Sequence, residues 1–456
     1  PCTDVFKRLL LLCSHLRSPF EDRTEFPEFF RSEFPEPAET ISGTIKVAVV
    51  GLVVGTAVVN IFLYPVGAFD LLGYVTELKL KYHYGLNPYV NTFQPFDADR
   101  LYKYSFNREL PLFYGPVWLV LSGVATWPVG FTHMLSVTIA LKVFNLVLLA
   151  ATGWAVCAYQ DDAKAGWMSA YLFLANPWVL FEGVGNGHND VMVALLLVLA
   201  VLALKRRSLL SVAFLTASAL VKYFTFVLFP LFLLEMFLRR WSIRRITVSV
   251  LLGIVTLVAF VAPFWAGGRM LRAVALTVTV QGTLMYSWSV FSLVQQYLAA
   301  KGFSTALFPL VQQFFLCMFA VLAVVLLWGL WRGTKFQRAL VTTYLVFSAF
   351  VTHLLSWYLV PVAAVLALEP DLESVALLFT LSTAYLVLYP VSVWAWFNSG
   401  LSSHAGSWNG FLGIHLFQAV FLLVPILAFL MLELTRTGLV IAGRGPECGA
   451  HDRGAQ

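Results

Sequence analysis

Apolar and polar positions alternate along this chain in long blocks, without the short two- or four-residue rhythm of a soluble domain. Apolar runs occupy about 44–66, 113–129, 132–158, 167–183, 190–204, 208–237, 246–265, 305–331, 339–354, 356–368, 373–396 and 411–434. Runs of 18 or more apolar residues are what a hydrocarbon layer about 30 Å thick asks of a crossing helix. The pattern predicts an all-α polytopic integral membrane protein with about 11–13 transmembrane helices.

The polar blocks divide it further. Residues 1–42 carry 5 Lys/Arg and 8 Asp/Glu, with Pro27, Pro35 and Pro37 as breakers. They read as a cytoplasmic or interfacial arm. The block 67–111 holds 5 acidic and 5 basic residues, too polar to cross and too long for a simple connector. It is expected to be a long first outer loop. The domain proper is then 43–435, and 436–456 is a cytoplasmic tail. Basic clusters at Lys205 to Arg207, Arg239 to Arg245, Arg332 to Arg338, and Arg436 with Arg444 mark the cytoplasmic face. For the first two clusters to share a face, 208–237 must be a hairpin of two short helices around Lys222 and Tyr223. If 113–129 and 132–158 each cross once, however, Asp161, Asp162 and Lys164 fall on the wrong side. One of these runs is re-entrant, or one span is misplaced.

Composition agrees with this class. Of 456 residues, 59% are hydrophobic and only 12% charged, half the charge of a usual soluble domain. The net charge of +6 follows from basic cytoplasmic loops and does not call for a nucleic-acid partner. Five scattered cysteines show neither a CxxC nor a pairing pattern. No short-period repeat suggests a solenoid or an inverted-repeat transporter.

Ionisable side chains at membrane depth are costly and mark function by default. Here they gather at the outer ends of the runs. Asp70 follows the first run, flanked by Phe69 and Leu71. An apolar surrounding would raise its pKa and suit it to general-base work; alone it could equally be a loop acid or a helix cap. The richest stretch runs from Asn176 and Pro177 through Glu182 to Asp190. Its glycines let the backbone turn closely, and Asn186, His188, Asn189 and Asp190 supply donors and acceptors at one spot. Lys222, with Tyr223, is either a snorkelling lysine or a point charge for a phosphate. His353, Trp357 and Tyr358 form an outer break, and Tyr286 with Trp288 an aromatic-polar patch; aromatic faces suit sugar rings and membrane interfaces alike. Asn87 to Tyr89 and Tyr114 to Trp118 read as a turn and a helix start with Pro at its first turn. Asp97 and Asp99 form a DxD pair, but no metal is expected to depend on it.

The order of these motifs resembles one known group. An Asp after the first span, Asn87-Pro88-Tyr89, Tyr114-Gly115-Pro116-Val117-Trp118, Asn176-Pro177, Gly187-His188-Asn189-Asp190 and Leu220-Val221-Lys222-Tyr223 follow one another as in the GT-C class of polytopic glycosyltransferases. Within it the chain looks most like polyprenyl-phosphate-mannose-dependent mannosyltransferases, over about residues 45–360. The resemblance implies Asp70 as catalytic base, and His188 and Lys222 beside the donor phosphate. The other donor-side residues would be Asn186, Asn189, Asp190, Tyr223, His353, Trp357 and Tyr358. Asn87, Tyr89, Tyr114, Tyr286 and Trp288 would serve the acceptor or the loops. It implies a polyprenyl-phosphate sugar donor, a lipid-linked or glycan acceptor, membrane lipids as surroundings, and no cofactor. The plasma membrane is the expected location, with the site on its extracytoplasmic side.

The chemistry is consistent with the residue types. A phosphate leaving group needs cationic help rather than a strong acid, and a single carboxylate can deprotonate the acceptor hydroxyl. A two-carboxylate hydrolase would need a second placed acid. A transporter or flippase of a lipid-linked substrate is the rival reading. Repeated halves and mid-bilayer charges would favour it. A lipid-linked oligosaccharide ligase or polymerase, marked by one large late outer loop, ranks third.

Overall fold

Some apolar runs form one long helix even across a proline or a glycine, as at Gly153 and Pro425, while others break into shorter pieces. A computed structural model describes residues 43–65, 69–105, 108–281, 288–350, 354–384 and 416–443, and all regular structure among them is helical. In chain order the helices are α1 (Gly43–Phe62), α2 (Phe69–Tyr82), α3 (Pro116–Thr126), α4 (Met134–Tyr159), α5 (Ala163–Leu174) and α6 (Pro177–Leu180). They continue with α7 (Asp190–Lys205), α8 (Ser211–Ala219), α9 (Phe229–Leu238), α10 (Ile243–Val261), α11 (Arg269–Gln281) and α12 (Val290–Ala300). The last five are α13 (Phe308–Arg332), α14 (Phe336–Phe350), α15 (Val360–Leu366), α16 (Leu372–Ala384) and α17 (Leu416–Ile441).

Four of the described helices are long and apolar enough to cross a membrane: α4, α10 with its short extension to Phe264, α13, and α17 from Val420. A fifth is the pair Pro177–Gly185 plus Asp190–Lys205, bent by 117°. Several of the 11–13 expected spans are thus shorter or broken pieces, because proline, glycine and buried polar groups interrupt the runs. Helix α17 also continues through Arg436 to Ile441, past the expected boundary at 435. The arm 1–42 and residues 444–456 lie outside the described residues.

The hairpin at 208–237 is present. Helix α8 ends at Ala219, a short 3-10 stretch covers Tyr223–Leu228, and α9 follows. Its two ends meet, since the Arg207 guanidinium donates to the Arg239 carbonyl at 3.2 Å and Arg245 donates to the Arg207 carbonyl. The side conflict at Asp161 also resolves. Lys205 pairs with Asp161 at 3.0 Å, and Arg206 donates to the Ala158 carbonyl at 2.8 Å. Helix α4 therefore ends on the same face as α7, among the basic residues. The 11 residues of α3 span only about 16 Å, too little to cross. It packs instead beside α2, where Tyr82 donates to the Leu119 carbonyl at 3.1 Å and stacks on Phe131.

At the centre stand α4, α7 and α8, with Ala194, Val198, Leu215 and Ala219 fully buried. Lipid tails are as apolar as leucine, so close packing of small and branched residues holds such helices together. Helix α10 lies at the outside; only Ser249 and Gly253 are buried along it, while Ile254, Val255 and Val258 face outward. The 16-residue α7 carries the chain about 24 Å from Asp190 to the basic end at Lys205. The polar cluster and the arginine face are at opposite ends of that helix.

Candidate active site

The site is built at the break before α7. Asn176 caps α6, accepting from the backbone N–H of Trp178 and Val179, and Pro177 costs no hydrogen bond at the first turn. The chain then widens into a π turn over Phe181–Gly185, a form often found where function needs a bend. The turn closes with Asn186 N donating to Phe181 O at 2.7 Å and His188 N to Glu182 O at 3.1 Å. Gly187 sits at φ +74°, a conformation costly for a residue with a Cβ. Asn145 of α4 ties the bend, donating to the carbonyls of Gly183 and His188 at 2.9 and 3.0 Å.

This bend aims His188 into a cluster drawn from three other segments. Its Nδ1 stands 3.5 Å from Oδ2 of Asp70 and its Nε2 3.4 Å from Oε2 of Glu182. The ring stacks on Trp357 at 3.9 Å and 11°. Glu182 is completely buried; it accepts from Asn186 at 2.7 Å and from the Ser356 hydroxyl. The second ionic pair is Lys222 with Asp190, 2.5 Å apart and almost wholly buried. The Lys222 ammonium lies over the Tyr358 ring at 4.3 Å and the Tyr114 ring at 5.9 Å. Of these charged groups Asp70 is the most open, its side chain 21% exposed against 0–7% for Glu182, His188, Asp190 and Lys222.

Close backbone contact sets Lys222 in place. Gly115 N donates to Val221 O at 2.9 Å and Val117 N to Leu220 O at 3.1 Å. A Cβ on Gly115 would lie 1.8 Å from the Leu220 carbonyl oxygen, so only glycine fits. Tyr89 and Tyr223 both donate to the Tyr114 carbonyl, at 2.7 and 3.4 Å. Asn87 accepts from Tyr89 N and donates to the Phe264 carbonyl, which makes it a turn-holder behind the wall.

The structure thus brings Asp70, His188, Asp190, Lys222, Trp357 and Tyr358 together. Asn186 supports Glu182, and Asn189 is buried with neither side-chain polar atom hydrogen-bonded. Trp288 N donates to Leu354 O at 3.0 Å, two residues from Ser356. His353 and Tyr286 lie outside the described residues. The DxD pair is split: Asp99 is held by Lys79 at 2.5 Å and Tyr84, while Asp97 is exposed.

One expectation is corrected. The Asp70 carboxyl is lowered, not raised: burial pushes it up, but neighbouring His188 and then Lys222 outweigh burial. Glu182 and Glu77 were not singled out from the sequence. Glu182 and Asn186 are four residues apart, the spacing of one helical face. Glu77 follows Asp70 by two turns on α2, and burial together with the Asp70 charge pushes it up to about 8.

Fold and site together define a polytopic helical membrane protein with a charged, partly open centre at a helix break. Residues 47–239 match the family model described as "Alpha-(1->6)-mannopyranosyltransferase, N-terminal domain". That segment contains Asp70, Glu182, His188, Asp190 and Lys222, and over it the resemblance to mannosyltransferases drawn from the motifs holds. A relative from Corynebacterium glutamicum, Alpha-(1->6)-mannopyranosyltransferase A, is 28% identical over 165 residues, covering 36% of this chain and 33% of that protein. The match thus spans about a third of the relative's length. Among solved structures, the archaeal oligosaccharyltransferase AglB from Archaeoglobus fulgidus, with an inhibitory peptide and a dolichol-phosphate, aligns at TM-score 0.35 and 12% identity over 86% of this chain and 56% of that one. An Archaeoglobus fulgidus oligosaccharyltransferase in the apo form aligns at TM-score 0.33 and 12% identity, over 85% of this chain and 56% of that one.

Proposed function

We propose that the protein is a membrane glycosyltransferase that moves mannose from a polyprenyl-phosphate donor to a lipid-linked or glycan acceptor. Asp70 takes the proton of the acceptor hydroxyl. The acceptor oxygen attacks the anomeric carbon, and the bond to the donor phosphate breaks in the same displacement. The electron pair leaves with the polyprenyl phosphate, and the anomeric centre inverts. The positive charge of Lys222, with His188 beside the same phosphate, favours the leaving group, a preorganised electrostatic contribution. The site works on the extracytoplasmic side of the plasma membrane, because the arginine-rich loops at the far end of α7 belong to the cytoplasmic face.

The observation that carries this reading is the exposure gradient within the cluster. One carboxylate, Asp70, is open, and His188 and Lys222 are buried. A base must reach the proton it removes, and a phosphate must meet fixed charge in a place of low dielectric. The motifs and the matched family segment support the choice of mannose.

The test is transfer from radiolabelled polyprenyl-phosphate mannose to a membrane lipid extract, in nanodiscs, with and without chelator. Wild-type protein is expected to transfer in both. Asp70→Asn should lose about 10²–10⁴-fold in kcat, the usual worth of a placed base. Near-normal turnover in Asp70→Asn refutes the base. Movement of intact donor across the bilayer without transfer refutes the enzyme.

A further inference from the structure

Both ring nitrogens of His188 face carboxylate oxygens, Nδ1 toward Asp70 and Nε2 toward Glu182. At these distances neither nitrogen completes a hydrogen bond, neither has any other polar partner, and the ring is 1% exposed. A neutral imidazole carries one N–H and a cationic one carries two. Two ionised carboxylates are both served only by the cation. The stack on Trp357 fixes the plane of the ring, so the nitrogens cannot exchange roles by tilting. Glu182 is itself anchored on both oxygens, by Asn186 and by Ser356.

We propose that Glu182 is a positioning residue for the transfer: it holds His188 as an imidazolium, which in turn keeps Asp70 ionised and aimed at the acceptor hydroxyl. This rests on the reading of Asp70 as the base. Glu182 touches neither sugar nor phosphate in this scheme and acts through the histidine. The arrangement is a carboxylate–histidine–carboxylate line whose inner end is buried and whose outer end meets substrate. Partners that orient a metal-bound histidine from behind are worth about 10–100-fold in activity, and a comparable worth is expected of Glu182.

Other charges face the same group. The Asp190–Lys222 ion pair and Glu77, two turns along α2, stand within electrostatic reach of Asp70, Tyr114 hydrogen-bonds it, and Tyr74 is close by. Because the Lys222–Asp190 pair is internally balanced, His188 is the cation whose charge Glu182 directly controls.

Two measurements test the proposal. The first is the pH profile of kcat for wild type, Glu182→Gln and Ser356→Ala. Glu182→Gln should lower kcat about 10–100-fold with the donor KM little changed. It should also move the acidic limb to higher pH, because Asp70 loses cationic support. Ser356→Ala, which frees one oxygen of Glu182, should act in the same direction by about five-fold, the worth of one hydrogen bond. An unmoved acidic limb, or a fall shared equally by kcat and folded fraction, overturns the proposal. The second measurement needs no transfer activity: ring nitrogen signals of ¹⁵N-histidine-labelled protein at pH 7, with His188 assigned through His188→Gln. Two protonated ring nitrogens in wild type, and one in Glu182→Gln, are expected. A neutral His188 in wild type overturns the proposal. If instead Asp70→Asn stays active while His188 is cationic, the base reading fails and the histidine assignment stands.

Discussion

Consider replacing Asp190 by asparagine, which keeps the shape and removes the charge. Lys222 Nζ then loses a carboxylate 2.5 Å away, at a place where the two side chains are 7% and 0% exposed. What remains to the ammonium is the face of Tyr358 at 4.3 Å, more distantly that of Tyr114 at 5.9 Å, and the charge of Asp70. Such cation–π contacts are worth about 0.5–2 kcal/mol. Removing one partner of a buried ion pair costs about 3–5 kcal/mol. With the rings still present, the expected loss is at the lower end, about 3 kcal/mol. Unfolding by SDS titration in mixed micelles measures it. The double variant Lys222→Met with Asp190→Leu removes both charges and should come within about 1 kcal/mol of wild type, since buried pairs replaced by apolar residues are often neutral. With Lys222→Met and Asp190→Leu also measured singly, the coupling between the sites should be about 2 kcal/mol or more. Both variants should bind donor phosphate poorly. A loss below about 1 kcal/mol for Asp190→Asn, or additive effects in the double variant, refutes a coupled buried pair; unchanged donor affinity in the double variant removes Lys222 from the phosphate site.

Three further outcomes are expected. Gly115→Ala would drive a Cβ into the Leu220 carbonyl, a backbone clash no side chain can relieve; it should cost about 3 kcal/mol or more and lower transfer, and a normal thermal midpoint would refute the close approach. Glu77 is held at about 8 in the folded protein against an ordinary 4.5, so between those values the unfolded chain releases a proton that the folded one keeps. Stability should therefore fall as pH rises from about 5 to 8, and Glu77→Gln should flatten that slope; parallel Tm–pH curves would refute it. Arg338 joins Glu433 at 2.7 Å to Asp371 at the basic end, far from the cluster; Arg338→Leu should lower stability by about 2–4 kcal/mol while kcat per folded molecule stays unchanged.

Much of the site was readable before any coordinates. Asp70, the Gly-His-Asn-Asp element and Lys222 fall far apart in sequence yet meet, because polar groups in apolar runs must find one another. The hairpin around Lys222 followed from the arginine clusters alone. Glu182 escaped because its partner Ser356 lies 174 residues on, and no local pattern announces that contact. Gly115 read as punctuation; its reason is a neighbouring backbone at Leu220, which spacing does not reveal. The ionic state of Asp70 also depended on the third dimension, since its apolar neighbours in sequence point one way and His188 in space points the other. The side conflict at Asp161 was visible in the sequence, and it took the contact with Lys205 to show that α3 is the run that does not cross.

The bend before α7 also bears on how the protein is made. Every charged member of the cluster is synthesised by residue 222, but Ser356, Trp357 and Tyr358, which cover it, follow more than a hundred residues later. At about 5–20 residues per second, several seconds pass in which a charged helix break sits in the membrane without its aromatic cover. During that interval the nascent chain exposes Glu182 and His188 to whatever surrounds it.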